Sequence, residues 1–488
     1  MIKLKYFLCE IEKGASDALK YSENKEKRNI LIVSYIDDNY GDILIRICFE
    51  QLLRIVLKNL DIGEDAFRIS RMSIKDVDDA LVCSADLIAF SGGGLFGLSY
   101  LGFYEGVNRI ITLADEHHIP VVLSSMGFNN MDANEDNEYL IRQLFQKKCI
   151  KALSVRENLP LFRRYAGDAD FEICQVCDPA VWTKYVYASR LPQPSRQGEL
   201  IGINVVRGGL FKDNDIRWNL GDELRYLDEL RRELDRRGLR CLFYTNGSFL
   251  DDNTLHYFAD QYDIPDECLV FPMTTTEWVG TVAQFDRVAS IRMHSSIVSY
   301  SLSIPSVNLI WNKKIPFFYE NIGYPERAVD VTQWNGSAVF EMLEQIKDRP
   351  YPLNEEYLMS LYRYLYRVMG KLLPTQTTEA DLFDFATVTR ELCGMTVPET
   401  EDSDNLRFKL NKGERQYLLR FKELREQESE LKQLRKAKKE LEKKNQEIAG
   451  LKSRLHRLNY LPSVFLLRLV RRVVRRLRHM RKLPKQPS

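Results

Sequence analysis

The tetrapeptide Arg292-Met293-His294-Ser295 brings together the residue types best suited to chemistry in this chain. It closes the apolar run DRVASI and sets a fixed cation two residues from an imidazole, just where a helical segment begins. A guanidinium recognises phosphate or carboxylate through paired hydrogen bonds, and an imidazole gives or takes a proton near neutrality. Arg292 and His294 are therefore the candidate catalytic pair, with Ser295 beside them as a candidate anion ligand. The chain has only six histidines, and the end of a strand favours a ligand-facing role over an ordinary core histidine.

Three further runs have the same placement. Ser91-Gly92-Gly93-Gly94-Leu95-Phe96 follows DLIAF, and consecutive glycines let an anion approach main-chain N–H donors. Gly92, Gly93 and Gly94 are thus candidate anion-binding positions, although the run is neither a P-loop nor a dinucleotide fingerprint. A tight strand-to-helix turn explains it equally well. Asp37-Asp38-Asn39-Tyr40-Gly41-Asp42 lies between an apolar run and a helical one, where Asn39 and Asp42 are candidate crevice residues and Asp42 equally suits a helix cap. Arg156, in Ser154-Val155-Arg156-Glu157, is a candidate anion ligand or, alternatively, a surface arginine.

The elements that must position these residues follow from hydrophobic patterning. NILIVSYI, DLIAFS, PVVLSS and KALSVR read as strands buried on both faces, and they alternate with helical patterns over 43–57, 107–116 and 137–148. Such alternation implies a parallel sheet, whose ligands sit beyond the carboxyl ends of its strands. LPQPSRQG then breaks the pattern before LIGINVV opens a second series with RCLFYT, CLVF, DRVASI and SVNLIW. The expected organisation is an N-terminal extension over 1–28, Rossmann-like domains over 29–195 and 196–330, and bracing helices over 331–395. The bracing helices carry Tyr357, Tyr362, Tyr366, Phe383 and Phe385, suited to packing against the preceding domain. An interdomain cleft is the natural ligand site.

Beyond a polar linker at 396–410, residues 411–459 show a partial coiled-coil seam. Leu434, Leu441, Ile448 and Leu455 form one seven-residue row, while the row begun by Leu424 and Leu431 continues with Lys438, Asn445 and Lys452. Self-association is the expectation, and a single solvated helix the alternative. Residues 460–488 contain no Asp or Glu. There Leu466, Leu469, Val470, Val473, Leu477 and Met480 share one face, with Arg468, Arg471, Arg472, Arg475, Arg476 and Arg478 largely around the rest. An anionic membrane interface is the expected partner; nucleic acid is disfavoured because aromatic residues do not interleave the arginines, and a solvated helix stays open.

Composition narrows the classes. A chain of 488 residues with 44% hydrophobic content exceeds one ordinary core, and its net charge of +1 hides the basic C-terminus. Nine scattered cysteines read as reduced and cytosolic. Cys174 and Cys177 form a C-x-x-C pair without a second pair or histidines at ligand spacing nearby, so no metal is expected. Glu10 and Glu12 interrupt the first apolar run, which argues against a secretion signal. No uncharged apolar stretch reaches the roughly 20 residues that a membrane span needs.

The order NYGD, SGGGLF, SVRE, CDPA, GINV, RMHS and SIPSVNLIWNKK resembles the polysaccharide pyruvyl transferase family over about residues 29–330. That resemblance implies a glycosyltransferase-B-like pair of Rossmann domains that moves the pyruvyl group of phosphoenolpyruvate onto two sugar hydroxyls as a ketal. It implies that Arg292 holds an anionic group of the donor and that His294 serves as general acid or phosphate ligand. Arg156 and the glycine run would add anion contacts, and Asn39, Asp42 and Asp178 would be candidate acceptor ligands. The partners implied are phosphoenolpyruvate, with no further cofactor, and a glycan acceptor. With the basic tail, the expected location is cytoplasmic and peripheral on the inner face of the cell membrane. Two rivals remain. A nucleotide-sugar glycosyltransferase would share the architecture, though its paired-glutamate spacing is not evident around Glu320 and Glu326. A non-catalytic membrane-associated scaffold is the other. Replacing both Arg292 and His294 by alanine separates enzyme from scaffold: loss of the cell's modified glycan is expected, and an unchanged glycan would favour the scaffold.

Overall fold

The computed structural model describes residues 27–97, 100–129, 135–192, 198–373, 375, 381–398, 401, 410, 413, 433–434, 437–438, 440–452 and 463–480. Nearly all of the expected N-terminal extension, and much of the expected coiled-coil segment, lie outside them.

The first sheet holds β1 (Arg28–Ser34), β2 (Phe67–Ser73), β3 (Leu87–Phe90), β4 (Gly93–Gly97), β5 (Val121–Asn129), β6 (Ile150–Val155) and β7 (Glu172–Gln175). Its order is β2-β1-β3-β5-β6-β7 with β4 paired to β5, and every pairing is parallel. The second sheet runs β10 (Leu269–Val270), β9 (Arg240–Tyr244), β8 (Leu200–Asn204), β11 (Arg287–Ser290), β12 (Ser306–Leu309) and β13 (Ala328–Val329), again all parallel. The central strands are unbroken apolar runs because helices cover both faces. In β1, Ile30 and Ile32 feed one core while Leu31 and Val33 feed the other, as the two-residue period of a strand requires.

Three details depart from the sequence reading. Gly93–Gly97 is not simply a turn into a helix: it forms β4 against β5, with a register shift between Gly93 and Phe96. Gly92 and Gly93 reach that strand at φ +117° and +109°, a region that side-chain-bearing residues avoid. The helix Glu355–Leu372 does not pack only on the second half. It reaches back to the helix Tyr40–Asn59, where Tyr362 Oη donates to Asn59 Oδ1, and Cys177 N donates to Ser360 Oγ at 2.9 Å. Nor is the start of the acidic linker free, since Val397 is buried and Glu401 pairs with Arg46 and Arg71.

One continuous apolar core runs from Ile30 and Leu44 through Trp182 to Ile201, Phe243 and Leu365. The two sheets therefore belong to a single compact unit, Met1–Lys412, and Gly413–Ser488 forms a second. The loop after β1 locks the sheets together. Tyr40 N donates to Asn246 O at 2.9 Å, Phe249 N donates to Asp38 Oδ2 at 2.7 Å, and Tyr40 Oη donates to Pro272 O at 3.1 Å. The Tyr40 ring lies on Gly247, where a Cβ would come within 2.0 Å of it and where φ is +83°. Gly247→Ala is expected to cost at least about 2 kcal/mol, from overpacking and backbone strain together. Thermal denaturation beside wild type checks this, and an unchanged midpoint would show that the Tyr40 contact does not hold the halves together.

Candidate active site

Between the carboxyl edges of the two sheets lies a cavity of about 420 Å³. Its wall draws mainly on the segments that follow strands: Asn39 and Asp42 after β1, Gly92 to Gly94 after β3, Arg156 after β6, Arg207 after β8, Arg292 and His294 after β11, and Trp311, Asn312 and Lys314 after β12, with Ile45 and Phe103 added from helices. Strands are buried and rigid, so the loops at their carboxyl ends are where variable side chains meet solvent and ligand.

His294 sits in the first turn of the helix Met293–Ser301. Its ring lies on Gly41, where a Cβ would stand 2.3 Å from Nδ1, so only glycine admits the imidazole in this position. Its Nε2 is buried and has no hydrogen-bond partner among the described residues. The Asp178 carboxylate, with Oδ2 3.7 Å away, is too far for a hydrogen bond.

Asp178 stands beneath the cavity rather than in its wall and is buried. Its Oδ1 accepts from Ala180 N at 2.9 Å, capping the turn Pro179–Trp182, and its Oδ2 meets Arg156 Nη1 at 2.5 Å. Burial works against its charge, but Arg156 and then His294 outweigh this and hold the carboxyl well below its usual range. Arg156 is only 4% exposed, so it is no surface arginine. A second carboxylate, Glu157, meets its Nε at 2.9 Å.

Arg292 is held the same way from the second sheet. Asp251, fully buried, takes Nε at 3.0 Å and Nη2 at 2.6 Å, a bidentate pairing that leaves the rest of the guanidinium at the cavity. Asn204 Oδ1 fixes the backbone by accepting from Arg292 N at 2.9 Å. Burial alone would weaken the cation, and the charge of Asp251 preserves it. Ser295 is buried against Tyr244, whose hydroxyl shares a hydrogen bond with Ser295 Oγ, and it lies outside the cavity wall. Asn39 lines the cavity, but its Oδ1 already accepts from Gly41 N at 3.1 Å as the cap of the helix Tyr40–Asn59.

Several residues of the site were not singled out from sequence. Lys314 lines the cavity with its Nζ 5.1 Å from the centre of the Trp311 ring. Burial first and Arg156 second lower its pKa to about 8, although Asp42 and Glu157 pull the other way. Its signal was the one that revealed Arg292, a charged residue just past an apolar strand, here within Trp311-Asn312-Lys313-Lys314. Asp42 carries the opposite perturbation: burial raises it against the pull of His294, Lys314, Arg156 and Arg292. Gly41 and Asp251 act on His294 and Arg292; Gly41 stands within the NYGD run without having been named as a site residue, and no sequence pattern marks Asp251.

Four cations, of which Arg207 is paired with Asp213, a buried imidazole and a carboxyl of raised proton affinity thus surround one cavity lined by glycines. Such an arrangement can bind a multiply charged anion and move protons on or beside it. The chain belongs to the polysaccharide pyruvyl transferase family, whose model matches residues 39–313. No curated protein is significantly similar to it. Among solved structures, it is similar to the UDP-GlcNAc 2-epimerase of Methanocaldococcus jannaschii at 10% identity, covering 70% of this chain and 99% of that one with a TM-score of 0.46. The UDP-GlcNAc 2-epimerase of Neisseria meningitidis matches at 10% identity over 71% and 99% of the two chains, with a TM-score of 0.42. The ADP-heptose lipopolysaccharide heptosyltransferase II of E. coli matches at 12% identity over 70% and 98%, with a TM-score of 0.34.

Gly41→Ala places a methyl group in the space of the imidazole. A loss of turnover of about a hundredfold is expected from the displaced His294. Steady-state kinetics would show it with the melting temperature as control, and an unchanged turnover would remove His294 from the chemistry.

Proposed function

We propose that the protein transfers the pyruvyl group of phosphoenolpyruvate to two hydroxyls of a sugar in an exported or cell-surface polysaccharide, forming a ketal and releasing phosphate. The observation that supports this most is the grouping of Arg156, Arg292 and Lys314 about His294 in one cavity. Phosphoenolpyruvate presents a phosphate and a carboxylate on adjacent atoms, and a cavity with a single cation would leave one of them without a partner.

The chemistry has a fixed balance. One proton must reach the methylene carbon, turning it into a methyl group and opening C2 to attack. Two hydroxyl oxygens then bond to C2, each giving up its proton, and the C2–O bond to phosphate breaks. Of the two hydroxyl protons, one replaces the proton given to carbon and the other leaves with phosphate. Arg292, held rigidly by Asp251, is assigned to an anionic group of the donor, with Arg156, Lys314 and the N–H groups of Gly92 to Gly94 as further contacts. His294 is assigned as the group that delivers the proton, with Asp178 3.7 Å from its Nε2. Asp42, with its raised proton affinity, is assigned to relieve an attacking hydroxyl. Asn39 beside it would orient the acceptor, whereas Asp178 acts through Arg156 and His294. A cytoplasmic location goes with this reading, because phosphoenolpyruvate is made inside cells.

The test is phosphate release from phosphoenolpyruvate with a panel of glycan acceptors, read together with product mass. Acceptor-dependent release with a pyruvyl increment, reduced at least about a hundredfold in His294→Ala, is the expected result. Turnover of a nucleotide-sugar with a hexose increment would instead establish the glycosyltransferase.

The pH profile gives a separate check. Lys314 is a cation below about pH 8 and neutral above it, so the KM for phosphoenolpyruvate should rise as pH passes upward through that value. Lys314→Arg keeps its charge and should flatten the alkaline limb. An unchanged limb in that variant would mean that another group titrates there.

A further inference from the structure

The helix Ser463–Met480 is 18 residues long and reads SVFLLRLVRRVVRRLRHM, with six arginines and no carboxylate. At the angular step of an α-helix, its sequence divides with little mixing. Leu469, Met480, Val473, Leu466, Leu477, Val470, Ser463, Val474 and Leu467 occupy one continuous arc of about 160° that contains no charge. All six arginines and His479 fall on the opposite side, interrupted only by Val464 and Phe465. Between Arg468 and Arg476 no side chain is buried: Leu469, Val470 and Val473 are partly exposed, and Val474 is 40% exposed.

A wide apolar arc in water is unfavourable, and six arginines in a helix without acidic residues raise the cost of placing it against another cationic or neutral surface. Both features are relieved together where an apolar interior lies under a sheet of negative charge. Crossing a membrane is a different matter, since no helix among the described residues is long and apolar enough to do so. We propose that Ser463–Met480 docks in the plane of an anionic phospholipid bilayer, with the uncharged arc in the acyl boundary and the arginines among the phosphates. This stands apart from the pyruvyl-transfer reading, because it rests on a different segment and its test needs no turnover.

The test is cosedimentation of the full chain with vesicles of phosphatidylcholine alone and of phosphatidylcholine mixed with phosphatidylglycerol. Binding is expected to the mixed vesicles, weakening as salt is raised. Arg471→Gln with Arg475→Gln should lower partitioning about thirtyfold, and Arg471→Lys with Arg475→Lys should retain it. Val470→Gln with Val473→Gln keeps every charge and should lower partitioning about tenfold or more. Absence of phosphatidylglycerol-dependent binding would overturn the proposal. So would binding that the arginine pair abolishes but the valine pair leaves intact, as a purely electrostatic partner such as nucleic acid would produce.

Discussion

Burying a guanidinium costs several kcal/mol unless a carboxylate meets it, and this cleft buries or nearly buries two. Arg156 is met by Asp178 and Glu157, Arg292 by the two oxygens of Asp251. Each pairing comes from behind the cavity, so the cations stay charged and stay put while part of each faces the cavity. The carboxylates in turn are fixed by main-chain donors, Ala180 N for Asp178, Phe128 N for Glu157 and Arg207 N for Asp251. The ion pairs thus tie strand ends to one another as well as preparing a field for an anion. Removing a carboxylate would leave a buried cation without its partner, which is costlier than never having had the pair.

The two cations belong to different sheets, so the cavity exists only if the sheets keep their separation. Tyr40 on Gly247, the Asp38 bond to Phe249 N and the continuous core through Trp182 hold that distance. The same short loop performs both tasks. Asp38 and Tyr40 join the halves, Gly41 leaves room for His294, and Asp42 enters the cavity. Its chemistry and its packing cannot vary independently, because neighbouring residues on one helix turn serve both.

Lys314 differs from the arginines. Its environment is set by burial and by the neighbouring charge of Arg156, which lower its pKa instead of raising it. A group in that condition gains most when an anion arrives, since the ligand supplies charge compensation that the empty cavity gives it only in part. Under the proposed function the arginines would provide a constant field and the lysine a response to the ligand.

Much of this was legible in the residue order. The central strands declared themselves as unbroken apolar runs, because covering both faces of a sheet leaves no polar position. The same rule pointed to the loops after β1, β3, β6 and β11, from which Asn39, Asp42, the glycines, Arg156, Arg292 and His294 reach one cavity. The edge strands of the first sheet did not show: β2, with Arg68 and Arg71, and β7, with Glu172 and Gln175, keep polar residues. Partnership across the chain was hidden for a different reason. Asp251 pairs with Arg292 over 41 residues of sequence, Asp178 with Arg156 over 22, and Gly41 meets a histidine in the other half of the molecule. Sequence by itself determined which residue types stand at the carboxyl ends of strands, because local hydrophobic periodicity marks where strands stop. Only the tertiary structure decided which of them are cations held from behind and which, like Ser295, turn inward, because those outcomes depend on contacts that crossovers and helices bring together from distant parts of the chain.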